Sequence, residues 1–380
     1  MNSVRIVLIS VGMFGRAYIE EMTRRDVGGE IVGIVEPSEE AIRRCPTIAE
    51  KGWPVFRTVE EFYAAHTADL AIIVSPIHLH TQMTIYCMQH GSHVLCEKPL
   101  CLTREDALRM ADCSRKTGKF LAVGYQLNYN RDVLAMKKDI LAGRFGKPLR
   151  LRVMHAYSRG AAYYARNNWA GHILFNGNEV FDSPFTNASA HNFQLMCFLL
   201  GPDMESACEV TGVEAELYRG NPNVENYDIA ALRFATDVGA PLLYYTAHPH
   251  SVPEYGPVGV FEFEHATITY RPGQRYKAVM DNGEVIDYGV IPPTNWMQKI
   301  DDCIACVRDG THPLCTVASD LSHIDAVRMV QQQPVTDVDP AHVDVVQLNN
   351  DTYWYVRDLI PTLEKAAEAW ALPKEIGLSL

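Results

Sequence analysis

The sequence lacks any apolar run long enough to cross a bilayer. Its longest, Val4–Val11 and Leu70–Pro76, fall far short of the ~20 residues a spanning helix needs. No basic leader followed by an apolar core and a small-residue cleavage site is present, so no secretory signal is expected and the chain reads as cytoplasmic, with no membrane partner. Positive charge is in deficit: 34 Lys and Arg face 46 Asp and Glu, a formal charge of −12, which sets nucleic acid aside as a partner. Low-complexity tracts and internal repeats are missing as well. With 47% hydrophobic and 21% charged residues over 380 positions, that excludes a disordered chain and leaves apolar material for two cores. The ten cysteines form no compact disulfide framework; scattered through expected strands and helices, they read as reduced thiols. Cys303-Ile304-Ala305-Cys306 has no second CxxC or HxxxH to make a zinc set with His312 and Cys315, so no metal is expected.

What the sequence does contain is a change of texture near residue 127. Up to there short apolar runs alternate with helical periods, the pattern of βαβ units around a parallel sheet. Strands are expected at Val4–Ile9, Ile31–Val35, Leu70–Val74, His93–Cys96 and Phe120–Val123. Helices are expected at about Phe14–Arg24, Val59–Ala65, His80–His90 and Arg104–Thr117, the last capped by Thr103 and closed by Gly118. This is an α/β, doubly wound Rossmann domain over residues 1–127. Beyond a helix near Arg131–Ala142, period-2 segments dominate: Pro148–Ala156, Asp228–Ala235, Pro241–His248, Val258–Glu264, Thr267–Tyr270 and a hairpin at Asn282-Gly283. Helices at Ala188–Leu200 and about Trp296–Arg308 make residues 128–333 an α+β domain with a mostly antiparallel sheet. Residues 334–380 read as a helical extension, with two helical patches at about Asn349–Ala369, whose aromatic cluster Tyr353, Trp354 and Tyr355 argues that it packs on something.

Directly after the first strand stands Ser10-Val11-Gly12-Met13-Phe14-Gly15, a dinucleotide fingerprint with serine in place of its first glycine. Gly12 lets the backbone approach a pyrophosphate and Gly15 lets the helix pack closely on the strand. The second strand ends in Glu36, placed to accept hydrogen bonds from the ribose hydroxyls of NAD. Arg43 and Arg44 follow, so NADP stays open.

At Ser75-Pro76, His80, Gly91-x-His93-Val94-x-x-Glu97-Lys98-Pro99, Gly124-Tyr125-Gln126, Gly146-Lys147-Pro148 and His191-x-x-x-Leu195, the sequence resembles the Gfo/Idh/MocA family, the glucose–fructose oxidoreductase and inositol dehydrogenase group, over roughly residues 4–330. The resemblance implies an NAD(P)-binding Rossmann domain, a second domain with an open-faced sheet that closes the substrate site, and a homodimer or homotetramer joined through those sheets. It also implies hydride transfer between the nicotinamide and a carbinol of a sugar, sugar acid or cyclitol. Two alternatives accompany it: a redox-neutral glycoside hydrolase or lyase that recycles NAD, and a non-catalytic dinucleotide-binding regulator.

The candidate catalytic residues are Lys98, His191 and Asn187. A lysine ending a parallel strand beside a nicotinamide can stabilise a developing alkoxide. Taking the hydroxyl proton suits histidine, the side-chain type that ordinarily changes charge near neutrality, which makes His191 the candidate base. Asn187 stands where inositol-dehydrogenase-like members place aspartate, and at i,i+4 from His191 it can share a helix face. The candidate cofactor-binding residues are Gly12, Met13, Phe14, Gly15, Glu36, Ser75, Pro76, His80, Glu97, Lys98 and Gln126. Asp182 reads either as a loop or cap aspartate or as a replacement for the charge missing at Asn187. Tyr163–Trp169 has a composition suited to a sugar, with a structural loop as the equal alternative, and His248-Pro249-His250 has no assigned role.

Overall fold

The computed structural model describes residues 3–290 and 296–378 and divides into two compact units. The first comprises residues 1–130 and 294–320, the second residues 131–293 and 321–380.

In the first unit a six-stranded parallel sheet has the order β3-β2-β1-β4-β5-β6, built from β1 (Val4–Ile9), β2 (Gly29–Val35), β3 (Val55–Phe56), β4 (Leu70–Ile73), β5 (His93–Cys96) and β6 (Leu121–Val123). Its crossovers are α1 (Met13–Arg24), α2 (Glu39–Arg43), α3 (Thr47–Lys51), α4 (Val59–Ala65), α5 (Ile77–Gln89) and α6 (Arg104–Thr117). The strands are apolar on both faces because helices cover both. Local chemistry sets the helix ends: Thr103 caps α6 through Asp106 N at 3.1 Å, and Gly118, at φ 67°, ends it. Strand order reverses between β1 and β4, the place where an open α/β sheet takes its ligand. One side of the core is completed by the helix Gln298–Asp309. Met297, Ile300, Cys303 and Ile304 pack there with Ile6, Leu8, Tyr18 and Ile72. Cys303 is therefore a core residue, and burial raises its thiol well above the ordinary range.

The second unit holds α7 (Arg131–Leu141), β7 (Pro148–Tyr157), α8 (Ala161–Tyr164), the short pair β8 (Leu174–Phe175) and β9 (Asn178–Glu179), and α9 (Ala190–Leu199). Then come β10 (Val210–Arg219), β11 (Ile229–Thr236), β12 (Leu242–Ala247), β13 (Glu254–Phe263), β14 (Ala266–Tyr270), β15 (Arg275–Met280), β16 (Val285–Val290) and β17 (Val335–Asp337). The nine-stranded sheet runs β16-β15-β14-β13-β7-β12-β11-β10-β17; it is antiparallel except for the β7–β12 and β10–β17 pairs.

Residues 349–357 correct an expectation, since they are not helical. β18 (Val343–Leu348) and β19 (Asp351–Val356) form a hairpin whose two-residue turn, Asn349-Asn350, has φ of 52° and 61°. Asparagine tolerates this left-handed backbone, and the Tyr-Trp-Tyr run suits a strand. The helix of this region is Leu359–Glu368. Its Leu359, Leu363 and Ala366 pack on Met154, Ala231, Leu243 and Tyr245, so one face of the sheet is covered over β7, β11 and β12, while Val279 and Val285 on the outer strands stay exposed. Among the described residues no helix is long and apolar enough to cross a membrane.

Candidate active site

The phosphate turn joins β1 to α1. Ser10 sits at φ 74°, the left-handed backbone for which the fingerprint normally uses glycine. The Glu36 carboxylate braces the turn: Oε2 accepts from Val11 N at 2.9 Å and Ser10 Oγ at 3.3 Å, while Oε1 accepts from Ser38 N at 2.9 Å. Gly12 caps α1 without a side-chain cap, and the first turn carries no acidic residue, so no side chain of the helix itself offsets the positive end of its dipole.

The two glycines differ in what constrains them. A Cβ on Gly15 would lie 2.2 Å from Ser10 O, inside the protein's own backbone; one on Gly12 would meet nothing nearer than Ser10 Oγ at 3.8 Å. Packing therefore fixes Gly15, whereas the open approach to Gly12 suits a pyrophosphate. Gly15→Ala should cost about 1–3 kcal/mol of stability. Gly12→Ala should unfold at nearly the wild-type urea midpoint and yet bind NADH at least about tenfold more weakly, as read by fluorescence titration.

Four further candidate residues follow β4 and β6. His80 is buried, with Nε2 2.8 Å from Ser75 O and Nδ1 3.0 and 3.1 Å from Pro99 O and Leu100 O. The ring lies between the end of β4 and the turn after β5; burial lowers its pKa against the pull of these carbonyls, and the neutral imidazole donates to one side at a time. Pro76 opens α5, Ser75 Oγ is buried without a partner, and the half-buried Gln126 starts the short turn after β6. Phe14 is partly exposed and meets Trp296 edge-on at 5.7 Å.

Glu97 and Lys98 end β5, and the Lys98–Pro99 peptide is cis. Glu97 is buried, and its Oε1 accepts from Tyr18 Oη at 2.5 Å and pairs with Lys299 Nζ. Its Oε2 takes Lys98 N at 3.2 Å. Lys299 is fully buried and also donates to Gly124 O at 3.2 Å. Gly124 is glycine for lack of room, since a Cβ would stand 2.8 Å from the Glu97 carboxyl. Glu97 thus accepts from the backbone of the half-buried Lys98 and is itself held by Tyr18 and Lys299. Lys299 and Tyr18 were not anticipated from the sequence; the one signal was a lysine on the same stripe of its helix as Cys303, among Ile300 and Ile304.

Asp320 was also unforeseen. Fully buried, it accepts from Leu100 N at 3.3 Å and from the Tyr125 hydroxyl, anchoring the turn after Pro99. Burial pushes its carboxyl up to about 7 against the pull of those hydrogen bonds. With the folded value raised above an unfolded value of ~3.9, its contribution is full in acid and is lost as pH rises to about 7. Asp320→Asn should therefore gain on wild type by about 1.4 kcal/mol per pH unit between pH 4 and 7 in urea unfolding.

In the second unit Asn187 does not share a continuous α-helix with His191. Pro184–Ala188 is a π-helical turn capped by Ser183, and α9 begins at Ala190 beyond Ser189. Asn187 Nδ2 donates to Asp182 Oδ1 at 2.9 Å. Asp182 is buried, accepts Gly171 N at 2.7 Å and lies 3.6 Å from Arg166 Nη2. The carboxylate missing at residue 187 is thus supplied one side chain back and partly balanced by an arginine. Phe181, just before it, is buried at φ 45°, a strain of order 1–3 kcal/mol in a bulky residue. His191 is half-buried at the start of α9, and Gln194 is fully buried.

The match to known proteins falls on the first of these clusters. The family model for the Gfo/Idh/MocA oxidoreductases, described as an NAD-binding Rossmann fold, matches residues 4–125. Residues 4–125 are a Gfo/Idh/MocA NAD-binding domain. The chain is 27% identical over 205 residues to inositol 2-dehydrogenase of Klebsiella pneumoniae, covering 54% of this chain and 56% of that one. It is 28% identical over 214 residues to 1,5-anhydro-D-fructose reductase of Ensifer adhaerens, covering 56% and 61%. The chain thus spans little more than half the length of these relatives. The fold extends further: the WlbA dehydrogenase of Bordetella pertussis, solved with NADH and UDP-GlcNAcA, aligns with TM-score 0.70 and 22% identity over 86% of this chain and 95% of that one. For myo-inositol 2-dehydrogenase of Lactobacillus plantarum the values are 0.68, 16%, 87% and 96%. Beside the Gfo/Idh/MocA domain, the second unit therefore shares its fold with these structures.

Proposed function

We propose that the protein is an NAD-dependent dehydrogenase that moves a hydride between the nicotinamide and a carbinol of a sugar, sugar acid or cyclitol. The observation that carries this is Lys98 just after β5 in the segment that matches the Gfo/Idh/MocA model, its backbone amide donating to the Glu97 of the buried Glu97–Lys299 pair. NAD would supply the hydride acceptor.

In this reading Gly12, Met13, Phe14 and Gly15 hold the pyrophosphate at the N-terminus of α1, and Glu36 takes the ribose, which favours NAD over NADP. Ser75, Pro76, His80, Glu97 and Gln126 support the nicotinamide side. The Lys98 ammonium donates to the reacting oxygen and stabilises alkoxide character. His191 accepts the hydroxyl proton, and Asn187, held by Asp182, orients the substrate or the base. The reading carries with it a cytoplasmic homodimer or homotetramer, to be checked by light scattering.

The test is to supply NAD and, separately, NADP with a panel of free sugars, sugar acids, inositols and aryl glycosides while following reduced-nicotinamide absorbance. Reduction with one carbinol substrate is expected. The neutral amide at Asn187 favours one rival, redox-neutral glycoside cleavage; glycoside loss with no net reduction would replace the dehydrogenase reading with it. Bound NAD without turnover of any compound would leave a regulator.

A further inference from the structure

In the second unit the loop after β7 is tied to the loop after β12. Arg159 N donates to His248 O at 3.2 Å and Ser158 N to Pro253 O at 3.0 Å. On this frame the Arg166 guanidinium lies 3.7 Å from the centre of the Tyr163 ring and that of Arg159 lies 4.7 Å from it. The Tyr163 ring is 5.4 Å from the His248 imidazole, and Tyr164 Oη is 2.7 Å from His248 Nδ1.

The two arginines are not equivalent. Arg166 is balanced by Asp182 at 3.6 Å, and its Nη1 donates to Tyr163 O at 2.9 Å. Arg159 forms no ion pair among the described residues, and its Nε is buried without a hydrogen-bond partner. Glu254, whose carboxyl feels the Arg159 charge, is already engaged by His155 Nε2 at 3.1 Å. His248 is only 3% exposed, and its Nε2 is likewise buried without a partner. Burial and the two guanidinia hold this imidazole neutral. The Arg159 Nε–H therefore lacks an acceptor, and His248 Nε2 lacks a partner whichever tautomer the contact with Tyr164 selects. Buried donors without acceptors are rare and call for an explanation.

We propose that this cluster is an anion subsite, in which Arg159, with His248 and Tyr163 beside it, takes a carboxylate or phosphate carried by the carbohydrate substrate. The inference rests on the reading of the second unit as the substrate domain. The fork of a guanidinium matches either anion with two parallel hydrogen bonds, and an aromatic face beside it suits a sugar ring. Continuity with the candidate catalytic residues supports the substrate as bearer of the charge. Tyr163 leads to Arg166, Arg166 to Asp182, and Asp182 to Asn187 through the contacts already described.

The experiment is calorimetric titration of NADH-loaded full-length protein with D-glucuronate, D-glucose 6-phosphate, D-glucose and myo-inositol. At least one anionic sugar should bind about tenfold or more tightly than D-glucose, with an affinity that falls as salt rises. Glucuronate ahead of the phosphate would identify a carboxylate site, and the reverse a phosphate site. Arg159→Met should bring anionic and neutral sugars within about twofold of each other, and Arg159→Lys, which keeps the charge but loses the fork, should retain part of the preference. Equal binding of charged and neutral sugars, no binding of either anion, or a preference that survives Arg159→Met would overturn the subsite. The NADH titration reads the underlying dehydrogenase proposal separately. Wild-type protein that takes no NADH would sink that reading, whereas normal NADH binding without anion preference sinks only the subsite.

Discussion

In the dehydrogenase proposed above, Lys98→Met will lower kcat by about 10²–10³-fold on the carbinol substrate, the loss expected when one preorganised donor to a developing oxyanion is removed. Methionine keeps most of the aliphatic stem, so the side chain's bulk changes little. The ammonium is what disappears. Because the donation is strongest when the oxygen carries most charge, the loss should fall on kcat more than on KM. NADH affinity should move by less than about twofold, since the phosphate turn is built from other residues. Steady-state kinetics with a parallel NADH titration separate these quantities. A kcat within about tenfold of wild type would remove Lys98 from the chemistry.

The second large effect is on stability. Lys299→Met should destabilise the protein by about 3–5 kcal/mol, because it strips the counter-charge from a carboxylate buried with it. Tyr18 and Lys98 N would still donate to Glu97, but two neutral donors do not replace an ammonium. The double variant Glu97→Gln with Lys299→Met should recover a good part of the loss, since it removes both charges together. Urea unfolding of the four proteins in the cycle measures this directly. Simple additivity of the two single changes would mean that the pair is not coupled and that the ammonium serves Gly124 O alone.

How much of this could be read from the chain depended on the distance over which each feature is specified. Strands Val4–Ile9 and His93–Cys96 and helices Val59–Ala65 and Arg104–Thr117 have the ends that apolar runs, Thr caps and Gly118 suggest. Those signals are local. The Glu97-Lys98-Pro99 corner was visible as a motif, but its bracing was not. Lys299 is 202 positions from Glu97 and Asp320 is 220 from Leu100, and a pair made by folding leaves no trace in either neighbourhood. The hairpin at Asn349-Asn350 was missed for another reason. The apolar spacing of the helix Leu359–Glu368 was extended backward over residues whose turn chemistry already stood against it. Asp182 shows the intermediate case. The sequence offers it either as a loop or cap aspartate or as a replacement for the missing charge, and its bond to Asn187 depends on a π turn and on the left-handed backbone at Phe181, neither of which has a sequence signature.

The interleaving of the two units has a consequence for biosynthesis. The β1–β6 sheet leaves a ribosome before residues 131–293 of the other unit, yet Met297, Ile300, Cys303 and Ile304, which complete its core, are translated only after them. Until then Ile6, Leu8 and Ile72 lack part of their cover and Glu97 has no ammonium to face. Elongation at ~5–20 residues per second makes that interval several seconds or longer. The second unit waits in turn for Leu359 and Leu363. Nascent chains halted before residue 297 should therefore expose apolar surface and attract chaperones, and a short further stretch of translation should end that exposure for the dinucleotide domain.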